Sequence, residues 1–342
     1  MNKNKEVKFV VLGYGFIGKK HAELIHLNEQ SYLAAVIEID EEKQRFIRAE
    51  YPYTVIFSTL EEFFKSNIRA DFIAICTPNH LHCLQSKSCL QQGLHVICEK
   101  PLGLKLEECL ELENVSKETG KQIFCVLQNR YSPPIQWLKS VISNDKLGDI
   151  IHVQVNCYWN RDDRYYYPNG KKHDWKGTKE KDGGVLFTQF SHFVDILTWV
   201  LGEVKDVHHI SNNFVHQGKT DFNDTGSIIF KLSNNAIGNF NYSTAVWDKN
   251  LESSMIILGS KGSIKIGGQY MDKVEYCHIK NYPLPAIADS QPPNDYGHFK
   301  GSAQNHQFVI QNSIDYFLNN SPIDVDLKEG ILSVKNIEKL SK

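Results

Sequence analysis

The start of the chain narrows its fold more than any other stretch. Val7-Lys8-Phe9-Val10-Val11-Leu12 reads as a short apolar strand. It runs into Gly13-Tyr14-Gly15-Phe16-Ile17-Gly18 and then into a helical segment, Lys19 to Asn28. G-x-G-x-x-G between a strand and a helix has a specific physical use. Gly13 permits the tight turn, Gly15 lets backbone approach a pyrophosphate, and Gly18 lets helix and strand pack closely. The helix N-terminus then offers unpaired N–H groups to phosphate oxygens, with Phe16 and Ile17 of the loop as further candidate cofactor contacts.

The next strand, Leu33 to Ile37, ends on Glu38. That is about twenty residues past the last glycine, the distance at which a carboxylate reaches the adenosine ribose hydroxyls. A carboxylate there repels a 2′-phosphate, which favours NAD over NADP. Asp40 is the alternative ribose ligand, Arg45 and Arg48 are candidates for a phosphate, and Glu38 could simply cap the helix Glu41 to Glu50. Further strands are expected at Thr54 to Phe57, Asp71 to Cys76, His95 to Cys98 and Ile123 to Val126. Helices are expected at Leu60 to Ser66, His80 to Gln92 and Lys105 to Gly120. Such alternation argues a parallel sheet with right-handed crossovers. Gly13 to Gly18, Glu38, Thr77-Pro78-Asn79-His80, Glu99-Lys100-Pro101 and Gln128-Asn129-Arg130 each follow a different strand, so all should line one edge of that sheet. Ligands of open α/β sheets bind at that edge.

Val96-Ile97-Cys98 leads directly into Glu99-Lys100-Pro101-Leu102. Proline has no N–H and a fixed φ, so the strand stops there and leaves Lys100 at its tip. The ordinary alternative is a surface lysine after a strand; the other clusters at the same edge argue against it.

From about Asp149 the pattern changes. Strands are expected at Ile150 to Tyr158, Val204 to Ser211, Thr225 to Leu232, Ala236 to Ser243, Ser253 to Leu258, Ser263 to Ile266 and Val274 to Ile279. Turns rather than helices join most of them, which predicts a large open, mostly antiparallel sheet in an α+β domain. One face of such a sheet is free to pair with another subunit, so a homo-oligomer, dimer or tetramer, is expected. The boundaries read as a dinucleotide-binding domain at 1–130 and a substrate and oligomerisation domain at 131–342, with the helix Ala303 to Leu318 packing back on the first. Gly183 to Leu201 is expected to carry one helix, on which Thr188, His192 and Asp195 share a polar face, the wall of a pocket or else a satisfied buried histidine. Tyr158 to Tyr167 interleaves Arg161 and Arg164 with Tyr165 and Tyr166, and Trp175-Lys176-Gly177-Thr178 follows. Arginines grip carboxylate or phosphate and aromatics receive flat rings, unless the local aspartates merely pair with the arginines.

A net charge of −2 gives no reason to expect nucleic acid or an anionic membrane surface as partner. No apolar run approaches the roughly 18 residues of a membrane span, and the polar N-terminus lacks a signal-peptide core, so a cytoplasmic protein is expected. The eight cysteines form no C-x-x-C pair and read as reduced thiols. His and Cys show no close-spaced ligand set, so no metal is expected.

Together these motifs resemble the Gfo/Idh/MocA family of nicotinamide-dependent sugar and polyol dehydrogenases, over nearly the whole chain. Gly13-x-Gly15-x-x-Gly18, Thr77-Pro78-Asn79-x-x-His82, Glu99-Lys100-Pro101 and Gly-Gly…His192-x-x-Asp195 match the family's motifs in order and spacing. The resemblance places Lys100 and His192 at the reacting carbon. It implies cofactor contacts from Thr77, Asn79, His82, Glu99, Lys100, Gln128 and Trp175 in addition to the glycine loop and Glu38. Many members carry an aspartate four residues before the histidine, where this chain has Thr188, which weakens a polyol reading. Thr188-Gln189-x-x-His192, with the upstream Tyr-Trp-x-Arg and Trp-x-Gly-Thr segments, is similar to a branch that oxidises UDP-N-acetylglucosaminuronic acid at carbon 3, on the way to surface-polysaccharide (lipopolysaccharide) sugars.

That chemistry needs a hydride acceptor, NAD, and a base for the hydroxyl proton. Free lysine, with a pKa of about 10.4, is a poor base at neutral pH unless burial beside a cationic ring favours its neutral form; histidine needs no such shift. One of Lys100 and His192 is expected to take the proton and the other to orient the hydroxyl. For the anionic sugar the candidates are Asn129, Arg130, Arg161, Arg164, Tyr165, Tyr166, Thr188 and Gln189, with Tyr296, Ser302 and His306 from the C-terminal side. The branch further implies recycling of NADH by 2-oxoglutarate. The competing readings are another sugar or inositol dehydrogenase of the same fold, and a non-catalytic sensor of NAD or a sugar.

Overall fold

The computed structural model describes residues 6–342, which form two compact units. One comprises the chain up to Leu127 together with His306–Leu332; the other comprises Gln128–Asn305 with Ser333–Lys342.

The first unit alternates strand and helix as its sequence demands: β1 (Val7–Leu12), α1 (Phe16–Leu27), β2 (Ser31–Ile37), α2 (Glu41–Glu50), β3 (Val55–Phe57), α3 (Leu60–Lys65), β4 (Phe72–Ile75), α4 (His82–Gln91), β5 (His95–Cys98), α5 (Leu106–Thr119) and β6 (Ile123–Cys125). All six strands are parallel, in the order β3-β2-β1-β4-β5-β6. β4 and β5 are buried at every position, as central parallel strands covered on both faces must be. Phe9 and Phe72 stack at 5.2 Å between ring centroids. The order reverses between β1 and β4, and a crevice for ligands opens at such a point, outside the carboxyl ends of the strands.

The second unit opens with α6 (Pro133–Ser143) and β7 (Ile150–Tyr158). It continues through the short helices α7 (Asp163–Tyr166), α8 (Lys179–Asp182) and α9 (Val185–Thr188) to α10 (Ser191–Leu201). Then come β8 (Val204–Asn212), β9 (Thr225–Leu232), β10 (Ile237–Ser243), β11 (Glu252–Gly259), β12 (Gly262–Gly267), β13 (Lys273–Ile279) and the small hairpin β14 (Pro293–Asp295) and β15 (Lys300–Ala303). Seven strands form one sheet, β13-β12-β11-β7-β10-β9-β8. It is mixed rather than wholly antiparallel, because β7 and β10 run parallel at its centre. Val153, Val155, Phe230, Phe240, Met255 and Ile257 are buried, and Phe190 and Phe193 pack on Trp159 beside them. The other face exposes Ile210, Ile229, Ile237 and Tyr276 among polar neighbours. The chain closes with α11 (His306–Asn319), in the first unit, and α12 (Leu327–Leu340). Tyr316 and Phe317 of α11 meet Phe124 and Phe72 edge-on.

One expected helix is broken. The stretch 185–201 divides at Gln189–Phe190, and the segments Lys179–Thr188 and Ser191–Leu201 meet at 52°. The break lets consecutive residues both turn inward: Gln189 onto Arg161 and Tyr165, Phe190 onto Trp159. Thr188 therefore lies on α9 and does not share a helix face with His192 and Asp195. Among the described residues, no single helix is long and apolar enough to cross a membrane.

Candidate active site

The glycine loop is built as its spacing requires. Gly13 has φ +89°, and a Cβ there would lie 3.0 Å from the carbonyl oxygen of Cys76. A Cβ on Gly18 would lie 1.9 Å from the carbonyl oxygen of Gly13, so no other residue fits. A Cβ on Gly15, by contrast, would meet nothing within 4 Å, which leaves space in front of α1, a helix with no side-chain cap. Space and uncapped N–H groups together suit a pyrophosphate. Glu38 is buried; its Oε2 accepts from Tyr14 N at 2.7 Å and its Oε1 from Asp40 N at 3.0 Å, so the loop fixes its carboxylate. Asp40 is the N-cap of α2, accepting from Glu42 N and Lys43 N. These residues fit a dinucleotide, with Glu38 as the held acid at the tip of β2.

At the tips of β4 and β5, Thr77 donates its hydroxyl to Gln85 Oε1 at 2.5 Å, and Asn79 is buried in a short 3-10 turn. His82, a candidate cofactor contact, lies between these two tips. Its Nδ1 lies 2.7 Å from Pro101 O and its Nε2 2.8 Å from Thr77 O, so the ring sits between the two strand tips and, when neutral, donates to one of the two carbonyls. Burial holds its pKa below the usual imidazole value. Lys100, half-buried, follows β5, and its backbone N–H donates to Glu99 Oε2 at 3.3 Å.

Glu99 is the charged centre beneath that tip. His21 Nε2, from α1, lies 2.9 Å from its Oε1, and His306 Nε2, from α11, lies 3.4 Å away. All three residues are buried and offer ligand atoms close enough together for a cation. Burial alone would raise the Glu99 carboxyl, yet the two histidines hold it well below the ordinary range. Burial lowers His306 in turn. The sequence puts His306 among the substrate candidates; the fold places it against Glu99. His21 escapes the sequence reading, and its only signal there is its position one turn after Gly18.

In the second unit, Arg130 and Asp195 form a buried two-bonded ion pair, Nε to Oδ2 at 2.8 Å and Nη2 to Oδ1 at 2.7 Å. Asn129 accepts from Ala303 N at 3.2 Å, while its Nδ2 is buried with no hydrogen-bond partner among the described residues; Gln128 Oε1 is likewise unmatched. Arg161 donates to Gln189 Oε1 at 2.6 Å, Asn160 O at 2.5 Å and Lys300 O at 3.1 Å, and Gln189 donates to the Tyr165 hydroxyl at 2.9 Å. Arg164 is more exposed and pairs with Asp162 and Asp248. Tyr166 is buried edge-on to His216 and Phe222. Thr188 hydrogen-bonds Asp182, whose Oδ2 accepts from Gly177 N at 2.7 Å. His192 is buried at the start of α10. Trp175 lies edge-on to His173, Tyr296 stacks on Phe299, and Ser302 is buried in β15.

Comparison with known proteins is consistent along the chain. The model of the oxidoreductase family's NAD-binding Rossmann fold (GFO/IDH/MocA) matches residues 7–127, and that of the GFO/IDH/MocA C-terminal domain matches residues 135–265. Among solved structures, the WlbA dehydrogenase from Chromobacterium violaceum in complex with NADH and UDP-GlcNAcA is 26% identical, with a TM-score of 0.87 over 99% of this chain and 94% of that one. The WlbA dehydrogenase from Bordetella pertussis, in complex with the same two molecules, is 27% identical, with a TM-score of 0.85 over 98% and 96%. Among characterised proteins, the 2,7-anhydro-N-acetylneuraminate hydratase of Escherichia coli is 26% identical over 77% of this chain and 68% of its own length.

Proposed function

The chain belongs to the Gfo/Idh/MocA family of NAD-binding oxidoreductases, and from that premise we propose that it oxidises the carbon-3 hydroxyl of UDP-N-acetylglucosaminuronic acid to the 3-keto sugar. The observation that carries this reading is the near full-length similarity, above a quarter identity, to two dehydrogenases bound to NADH and that nucleotide sugar.

NAD supplies the hydride acceptor. The chain's own residues do the rest. The uncapped N-terminus of α1 and Glu38 hold the pyrophosphate and ribose, with Thr77 and Asn79 at the next tip. Gln128 Oε1 and Asn129 Nδ2, buried without hydrogen-bond partners among the described residues, are assigned to cofactor and sugar respectively, because an unmatched buried polar atom costs about 1–3 kcal/mol until a ligand meets it. Lys100 and His192 act on the reacting hydroxyl: one accepts its proton and the other orients it. Glu99, ionised beneath the tip, holds the Lys100 backbone through its N–H. Arg161 fixes Gln189 and, through it, the Tyr165 hydroxyl, and so shapes the sugar pocket. We further assign the product to surface-polysaccharide sugar synthesis, with NADH reoxidised by 2-oxoglutarate, and assign the exposed face of the large sheet to a second copy of the chain.

The test is incubation with NAD and UDP-N-acetylglucosaminuronic acid, with and without 2-oxoglutarate, followed by mass spectrometry of the nucleotide sugar. Loss of two hydrogens is expected. An unchanged sugar with NAD demonstrably bound refutes the substrate. The hydratase relative favours a second reading, a different sugar substrate, which activity on another sugar alone would select.

A further inference from the structure

Two cations in the second unit meet the same aromatic ring, and the protein treats them differently. The Arg161 guanidinium lies 5.6 Å from the centroid of Tyr165 and donates to four neutral acceptors: Gln189, Asn160, Asn250 and Lys300 O. The Lys176 ammonium lies 4.1 Å from the same centroid and 5.9 Å from that of Trp175. Among the described residues it has no hydrogen-bond acceptor and no ion-pair partner. The acid that acts on it, Asp182, is itself buried and already accepts from Gly177 N and the Thr188 hydroxyl.

A lysine stem long enough to reach water ordinarily does so. Here the stem lies half-buried and its head rests on a ring, with three donors unmatched. Desolvation lowers its pKa to about 8, Asp182 opposing and Arg161 assisting. The neighbourhood is also positive on balance, since Arg161 has no carboxylate partner of its own among the described residues. Tyr165 links both cations to Gln189, three residues before His192.

We propose that Lys176 is the anion-recognition residue of the sugar site, its ammonium donating to a carboxylate or phosphate oxygen of the substrate above the Tyr165 ring. This rests on the nucleotide-sugar reading above. The groups facing the ammonium are Tyr165, Trp175, Asp182 and Arg161, of which only Asp182 is an acid. An oxyanion brought to it forms a charge-assisted hydrogen bond that exists only while the amine is protonated. Substrate affinity therefore falls as pH rises through about 8.

The test compares wild type, Lys176→Met and Lys176→Arg in the full chain, by steady-state kinetics between about pH 6.5 and 9.5 and by calorimetric binding of UDP-N-acetylglucosaminuronic acid, UDP alone and NAD. Loss of a hydrogen bond to a charged group predicts that Lys176→Met raises KM and Kd for the sugar acid roughly 10- to 100-fold, with kcat and NAD affinity within about threefold. Wild-type KM should climb above pH 8 while that of Lys176→Arg, always charged, stays level. If UDP binding is unchanged in Lys176→Met, the anion is the carboxylate; if it weakens equally, the anion is the diphosphate. Unchanged sugar affinity in Lys176→Met, or weakened NAD binding alone, overturns the assignment. Should Lys176→Met fail to fold, a wild-type KM as flat with pH as that of Lys176→Arg overturns it equally. A wild type that binds no anionic nucleotide sugar refutes the substrate reading itself, a result distinct from an active wild type indifferent to Lys176.

Discussion

Replacing Asp195 by asparagine should destabilise the second unit by about 3–5 kcal/mol, the usual consequence of breaking one side of a buried ion pair. The geometry sets that size. Arg130 is 4% exposed and Asp195 2%. Two parallel bonds of 2.8 and 2.7 Å join them, and the guanidinium lies 4.9 Å over the Trp199 ring. The amide would keep the shape of the carboxylate but lose its charge and turn a donor towards a donor, leaving a buried cation uncompensated. For a unit of this size each kcal/mol moves Tm by roughly 2–4 °C, so the shift should be on the order of 6–20 °C downward. All five tryptophans, at 137, 159, 175, 199 and 247, belong to the second unit, so indole fluorescence during urea or thermal unfolding reads this unit alone. A double variant, Arg130→Met with Asp195→Leu, removes both charges and should recover most of the loss. A loss below about 1 kcal/mol in Asp195→Asn, or no recovery in the double variant, refutes the reasoning.

Three further outcomes are expected. Lys100→Met should cut turnover by about 100- to 10,000-fold, the range for a general acid or base, with NAD affinity retained in a fluorescence titration; near-normal rates would remove Lys100 from the reaction. Gly18→Ala should lose NAD binding, because its Cβ has only 1.9 Å to the Gly13 carbonyl oxygen; normal affinity by calorimetry would contradict the loop geometry. Asp224, buried, accepts from Phe214, Val215 and His216 N–H and faces His216 Nδ1 at 3.0 Å. Burial alone would raise its carboxyl, but these donors hold it well below the ordinary range. A depressed folded pKa gives stability that is present above the unfolded value of about 3.9 and lost as pH falls below it. Asp224→Asn should therefore be less stable at neutral pH yet lose less on acidification, as read from Tm against pH; an unchanged acid limb counts against the role.

Local signals carried most of the first unit. A strand buried on both faces reads as a continuous apolar run, and the glycine spacing reports a turn whose sterics admit nothing larger at Gly18. The alternation of period 2 likewise announced β7, β9 and β10 within a residue or so. Helix 185–201 misled because its period runs unbroken through Gln189; only the partners of Gln189 and Phe190 explain the 52° break. The resemblance offers His82 as a cofactor contact; its two backbone carbonyl neighbours became visible only with β4 and β5 side by side.

The sequence alone therefore determined the strand–helix order and parallel sheet of the first unit up to Leu127, the NAD loop and the family, because each is written in neighbours along the chain. Tertiary structure decided which charges are spoken for. Asp195 takes Arg130 from 65 residues away, and His21 reaches Glu99 across 78. Lys176 is left with an aromatic ring and no hydrogen-bond acceptor among the described residues. Charge pairing depends on which side chains packing brings within about 4 Å, and no local pattern encodes that distance.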